Sequence, residues 1–190
     1  NWLVVATSYS GNTEETVATT EQAIKLGGTV VVISSGGMLS GLCELSNSAH
    51  LISCPGGQPP RSAFGHLFSR QLGLMNQLGI LQSELSQDGI ARLKQAIIDC
   101  DITLHPEGDV ASLALNMMEN PIAIIGPSEL SPALCRFKNQ LNENSARFAR
   151  IGEVPEMNHN ELIAWGGVGK YQDQDAPNQA VIIVSWPGMN

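Results

Sequence analysis

The sequence predicts an α/β protein with doubly wound parallel sheets, and three observations point that way. Short runs rich in Val and Ile recur along the chain, longer stretches of helical period separate them, and the runs are apolar along their length. A strand that is apolar throughout is buried on both faces, the condition of a parallel strand covered by helices on two sides. Alternating strands and helices then build a layered sheet whose ligands bind beyond the carboxyl ends of the strands.

The strands are expected at residues 2–7, 29–33, 49–52, 121–125, 148–154 and 180–185. The first helix begins at Asn12 and Thr13 and ends at Lys25, where Gly27 and Gly28 stop it. A second follows Pro59 and Pro60, with Phe64, Leu67, Phe68, Leu72 and Met75 as its apolar stripe. Ser86 and Asp109 are read as N-caps of two more. Residues 78–106 look predominantly helical, so the chain divides into a first α/β lobe at 1–80, a helical connection at 81–108 and a second lobe at 109–190. The chain opens on Asn1 directly into a core run, and 180–186 reads as a core strand near the other end, so both lobes are expected to be truncated.

Composition narrows the function. A chain of 190 residues with 43% hydrophobic and 15% charged residues can fill a core. A formal charge of -8 opposes the attraction to phosphate backbones on which nucleic-acid binders depend. Cys43, Cys54, Cys100 and Cys135 are far apart with no CxxC pair, which predicts neither a zinc site nor a disulfide framework but reduced thiols in a cytoplasm. No apolar run reaches transmembrane length, so no membrane partner is expected.

The most informative segment is Ser8-Tyr9-Ser10-Gly11-Asn12-Thr13, where the first strand gives way to a helix. Free backbone N–H groups at a helix start attract an anion, Gly11 permits a tight turn, and the hydroxyls of Ser8, Ser10 and Thr13 can donate to phosphate oxygens. The absence of lysine separates the turn from a Walker loop, and it has no GxGxxG pattern. A plainer reading gives Asn12 or Thr13 the cap of the helix and makes the serines a polar turn; on these residues alone the two readings weigh equally.

Further along, Pro59 and Pro60 stiffen a loop that delivers Arg61 to the beginning of a helix. A cation there opposes the helix dipole by about 0.3–1 kcal/mol, which an anionic ligand or a nearby carboxylate would offset. Ser131 and Pro132 open another helix with Leu134, Phe137 and Leu141 on one stripe and Arg136, Gln140 and Glu143 on another. Glu143 at that helix's C-terminus faces the negative dipole end, which predicts a carboxylate tuned towards accepting protons. Glu156-Met157-Asn158-His159-Asn160-Glu161 is a polar cluster expected to precede a short helix at 162–165. A lone His159 is more often a surface residue than a functional one, and no metal-ligand spacing surrounds it.

Taken in order, SYSGNTEET, PPRSAF, the QLNEN of 140–144 and the NHNE of 158–161 resemble the sugar isomerase (SIS) family, in its bifunctional phosphoglucose/phosphomannose isomerase branch. The resemblance implies flavodoxin-type α-β-α sandwich lobes and a homodimer. It also implies metal-independent interconversion of glucose 6-phosphate and mannose 6-phosphate with fructose 6-phosphate, a step of glycolysis and gluconeogenesis. By resemblance Ser8, Ser10 and Thr13 bind the phosphate of a sugar 6-phosphate, Glu143 moves the proton, Arg61 steadies the enediolate oxygen, and His159 assists ring opening from across the dimer. No cofactor is implied.

Three departures stand beside it. Met38 follows Gly36-Gly37 where the family often places a basic residue, the family's upstream Gly/Ser-rich turn is not in the chain, and Lys170 does not match its C-terminal catalytic lysine. A non-catalytic SIS module that senses a sugar phosphate is the competing reading; it would need the phosphate turn but not Arg61, Glu143 and His159 together.

Overall fold

The computed structural model describes residues 2–81, 87–166, 178–186 and 188–189. It divides into two compact units, Asn1–Gln87 and Asp88–Asn190. Ser86 and Lys170 lie outside the described residues.

Unit 1 carries β1 (Leu3–Thr7), α1 (Glu14–Lys25), β2 (Thr29–Ser34), α2 (Gly37–Leu45), β3 (Ala49–Ser53), a 3-10 turn (Pro60–Ser62) and α3 (Phe64–Gln77). The sheet is parallel, in the order β1-β2-β3. Side chains alternate across a strand, and β2 shows the consequence. Val30 and Val32 pack with Ala6, Val17, Ala23 and Leu39 under α1 and α2, whereas Ile33 packs with Tyr9, Cys54 and Ala63 beneath α3. Each fully buried side chain of β2 contributes about 1.5–3 kcal/mol, so β2 is the spine of the unit.

Helix α1 forms because Val17, Thr20 and Ala23 fall on one buried face, with Glu14 and Glu15 in its first turn and Lys25 in its last, both favourable to the dipole. Gly27, at φ +77°, ends it, and the N–H of Gly28 returns to the carbonyl of Ala23 at 3.0 Å.

Unit 2 contains α4 (Gln87–Asp99), α5 (Asp109–Met117), β4 (Ile122–Pro127), a 3-10 turn (Ser128–Leu130), α6 (Ser131–Ser145), β5 (Ala149–Val154), α7 (Met157–Gly166) and β6 (Ala180–Ile183). Its sheet is parallel too, in the order β5-β4-β6. Ile122 and Ile124 of β4 pack with Leu134, Phe137 and Leu141 of α6. On the other face Met157 of α7 lies so near Gly152 that an added Cβ would meet its sulfur at 3.2 Å.

The parallel α/β architecture matches the sequence reading, and several details do not. The expected burial on both faces holds for β2 and β4 but not at the edges: Leu51 of β3 and Ile183 of β6 are exposed. Phe148 stays outside β5 and is 92% exposed. Helix α2 escaped the sequence reading because it starts on glycines that signal a turn. Gly108, in extended conformation, occupies the cap position assigned to Asp109, which is instead the first helical residue, where its carboxylate favours the dipole. Met157, Asn158, His159 and Asn160 form the first turn of α7 and do not precede it. In α3 only part of the stripe is covered: Leu67 joins the core, while Phe64 and Phe68 stack on each other at 5.3 Å and remain half exposed.

Candidate functional site

Three loops leave the carboxyl ends of the unit-1 strands and pack together. The first, after β1, begins with the N–H of Ser8 donating to the carbonyl of Ile33 at 3.2 Å, and it turns back where the N–H of Gly11 meets the carbonyl of Ser8 at 3.2 Å. The hydroxyls of Ser8 and Thr13 share a hydrogen bond of 2.8 Å, and Ser10 Oγ accepts the N–H of Asn12 at 3.3 Å. Thr13 is at the cap position of α1 but makes no side-chain cap bond to the helix, its hydroxyl being turned to Ser8. The first-turn amides of α1 thus have no side-chain cap, which suits an anion; exposed Glu14 and Glu15 on the same turn limit how negative that anion can be.

The second loop follows β2. Asn12 Oδ1 accepts the N–H of Met38 at 3.0 Å, and the carbonyl of Gly11 accepts the N–H of Leu39 at 3.0 Å. Asn12 therefore caps α2, a helix distant in sequence, and not α1 as the plainer sequence reading had it. Gly37 approaches the first loop so closely that a Cβ there would lie 2.3 Å from the carbonyl oxygen of Ser10.

The third loop joins β3 to α3 and carries Arg61, exposed in the 3-10 turn two residues before Ala63 and three before α3 begins. The Tyr9 hydroxyl donates to the carbonyl of Pro55 at 2.9 Å and accepts the N–H of Gln58 at 3.2 Å.

In unit 2, Glu143 is exposed in the last turn of α6, two residues before the helix ends. Its neighbour Asn142 accepts the N–H of Ala149, the first residue of β5, at 3.1 Å, which sets this end of α6 beside the amino end of the strand. His159, also exposed, follows the carboxyl end of β5, with its N–H on the carbonyl of Glu156 at 3.0 Å. The ends of β5 are about 17 Å apart at about 3.3 Å per residue. Unit 2 thus sets Glu143 and His159 at opposite ends of its sheet.

The glutamate of the NHNE cluster has a structural partner. Glu161 pairs with Arg150 of β5, whose Nε donates to Gln179 Oε1 at 3.0 Å and whose guanidinium lies 4.8 Å from the Trp165 ring. Sequence reasoning missed Tyr9 and Arg150. A tyrosine between two serines was the available signal for the first; Arg150 sits inside an apolar strand, where a cation needs a partner. Among the described residues no group of three or more His, Cys, Asp or Glu side chains is placed to hold a metal ion, and no helix is long and apolar enough to cross a membrane.

Residues 107–188 match the family model of the bacterial phospho-glucose isomerase C-terminal SIS domain, and curated relatives of that kind match over most of the chain. In residues 107–188 the chain carries an SIS domain of that kind. D-glucosamine-6-phosphate 4-epimerase of Sulfolobus acidocaldarius is 36% identical over 160 residues, 84% of the chain and 49% of the relative. Bifunctional phosphoglucose/phosphomannose isomerase of Caldicellulosiruptor bescii is 32% identical over 167 residues, 85% of the chain and 48% of the relative. The chain thus spans about half the length of the curated relatives it matches. Among solved structures, tagatose-6-phosphate ketose/aldose isomerase from Escherichia coli superposes with a TM-score of 0.65 at 16% identity, covering 95% of the chain and 47% of that chain. The C-terminal domain of glucosamine-fructose-6-phosphate aminotransferase from Francisella tularensis gives 0.55 at 16% identity, over 95% and 50%. At such identities these likenesses speak for the SIS fold alone.

Proposed function

We propose that the SIS chain is part of an aldose–ketose isomerase that interconverts glucose 6-phosphate and mannose 6-phosphate with fructose 6-phosphate. The observation that carries the reading is the turn of Ser8, Ser10 and Thr13 at the start of α1, where hydroxyls and uncapped amides converge. In this reading the turn anchors the 6-phosphate, and its binding energy orients C1 and C2 of the opened sugar. Glu143 takes the C2 proton of the aldose and returns it to C1. Arg61 faces the oxygen that becomes negative in the enediolate, so a guanidinium does the work a metal does in other isomerases. His159 passes a proton to the ring oxygen as the ring opens. The separation of Glu143 and His159 along β5 favours drawing them from two copies of the chain, hence a homodimer.

The test is Glu143→Gln in the full-length protein, assayed with both aldose phosphates. Turnover is expected to fall by about 10²–10⁴-fold while fructose 6-phosphate still binds; near wild-type turnover would remove Glu143 from this role. A second reading follows from the 36% identity to the 4-epimerase: inversion at C4 of glucosamine 6-phosphate, which NMR would detect as the galacto product. Tight fructose 6-phosphate binding without turnover on any of these sugars would favour a sensor.

A further inference from the structure

Tyr9 bonds to the other two loops at the carboxyl ends of the unit-1 strands, though it sits in the first. Its backbone carbonyl accepts the N–H of Ser35 at 2.9 Å, the Ser35 hydroxyl at 2.6 Å and the Ser34 hydroxyl at 3.3 Å. Its phenol bridges the carbonyl of Pro55 and the N–H of Gln58, and the Gln58 side chain meets His66 Nε2 at 3.3 Å. The ring, 7% exposed, packs with Cys54 and Ala63, the residues that flank segment 55–62 on either side. That segment contains Gly56 and Gly57, the latter at φ +90°, so its path depends on its tethers.

The geometry points to Tyr9 as a positioning residue whose hydroxyl sets the stance of segment 55–62, and with it Arg61, relative to the phosphate turn. This inference rests on the isomerase reading and deepens it, because it separates how the substrate is held from how it is converted. The turn is held to the β2 loop through the Tyr9 backbone, which a phenylalanine preserves. The ring packing is preserved as well. Only the bridge from the phenol to Pro55 and Gln58 is lost, so the phosphate remains anchored while Arg61 drifts from the oxygen it is meant to steady.

The experiment is Tyr9→Phe in the full-length protein, with steady-state kinetics on glucose 6-phosphate and amide hydrogen exchange across 55–62. The expected result is a kcat lowered about tenfold with KM within about twofold, since small misplacements of a catalytic group cost rate before binding, together with faster exchange at Gln58. An unchanged kcat, an equal loss through KM, or unaltered exchange at Gln58 would overturn the inference. Wild-type protein without isomerase turnover would instead sink the isomerase reading, and the exchange comparison would then decide the tether by itself.

Discussion

A Cβ placed on Gly11 would stand 1.8 Å from the carbonyl oxygen of Gly36. The obstacle is backbone and not the end of a flexible side chain, and Gly11 also has φ +69°. Gly11→Ala should therefore lower unfolding free energy by about 2–4 kcal/mol. Gly73→Ala, in the exposed middle of α3 with nothing within 4 Å, should raise it by about 0.5–1 kcal/mol. Urea titrations of both variants check this; equal effects would mean that the two loops do not pack as described.

The Ser8–Thr13 hydroxyl pair makes a prediction about binding. Removing both hydroxyls, in Ser8→Ala with Thr13→Val, should weaken fructose 6-phosphate by about 10- to 100-fold, from about 1.5–3 kcal/mol for bonds to a charged group. Calorimetric titration reads the constant directly. An affinity unchanged by the double variant would return the turn to a purely structural role.

Because Glu143 and His159 lie at opposite ends of β5, inactive Glu143→Gln and inactive His159→Ala proteins should complement each other when mixed and allowed to exchange subunits. A 1:1 mixture recovers about a quarter of the wild-type sites if each site takes one residue from each copy of a two-fold dimer. No recovery after verified exchange would argue that both residues serve one protomer.

Burial holds the Cys43 and Cys54 thiols above their ordinary 9.0; Glu44 adds to the effect at Cys43, and Arg70 opposes it at Cys54. A thiol pKa higher in the folded than in the unfolded state contributes stability that is complete below pH 9 and is lost as pH rises through the folded value. Stability should therefore fall above pH 9, and less steeply in a Cys43→Ala, Cys54→Ala double variant. Denaturant midpoints between pH 8 and 10.5 test this, and parallel slopes for the two proteins would contradict it.

Strand positions were readable because β-branched runs advertise burial, and all six expected strands recur with ends moved by a residue or two. Helices α1, α3 and α6 were readable from their stripes and stops. Helix α2 was not, since it starts on glycines and its first turn is capped by Asn12 from the neighbouring loop. Local pattern carries no record of a partner that arrives from another loop. The same limit hid Arg150, whose partner Glu161 is set by the angle at which α7 leaves β5.

The turn from Ser8 to Thr13 shows where the division falls. The sequence by itself determined the fold class, the strand-to-helix junction at Ser8 to Thr13 and the family motifs, because periodicity and short-range turn chemistry act within a few residues. Only the tertiary structure decided that Thr13 turns to Ser8, that Asn12 serves α2, that Tyr9 reaches the Arg61 loop, and that Glu143 and His159 stand apart. Those are relations between segments brought together by burial of the sheet, and their geometry exists only once β1, β2 and β3 lie side by side, or α6 and α7 on either face of β5.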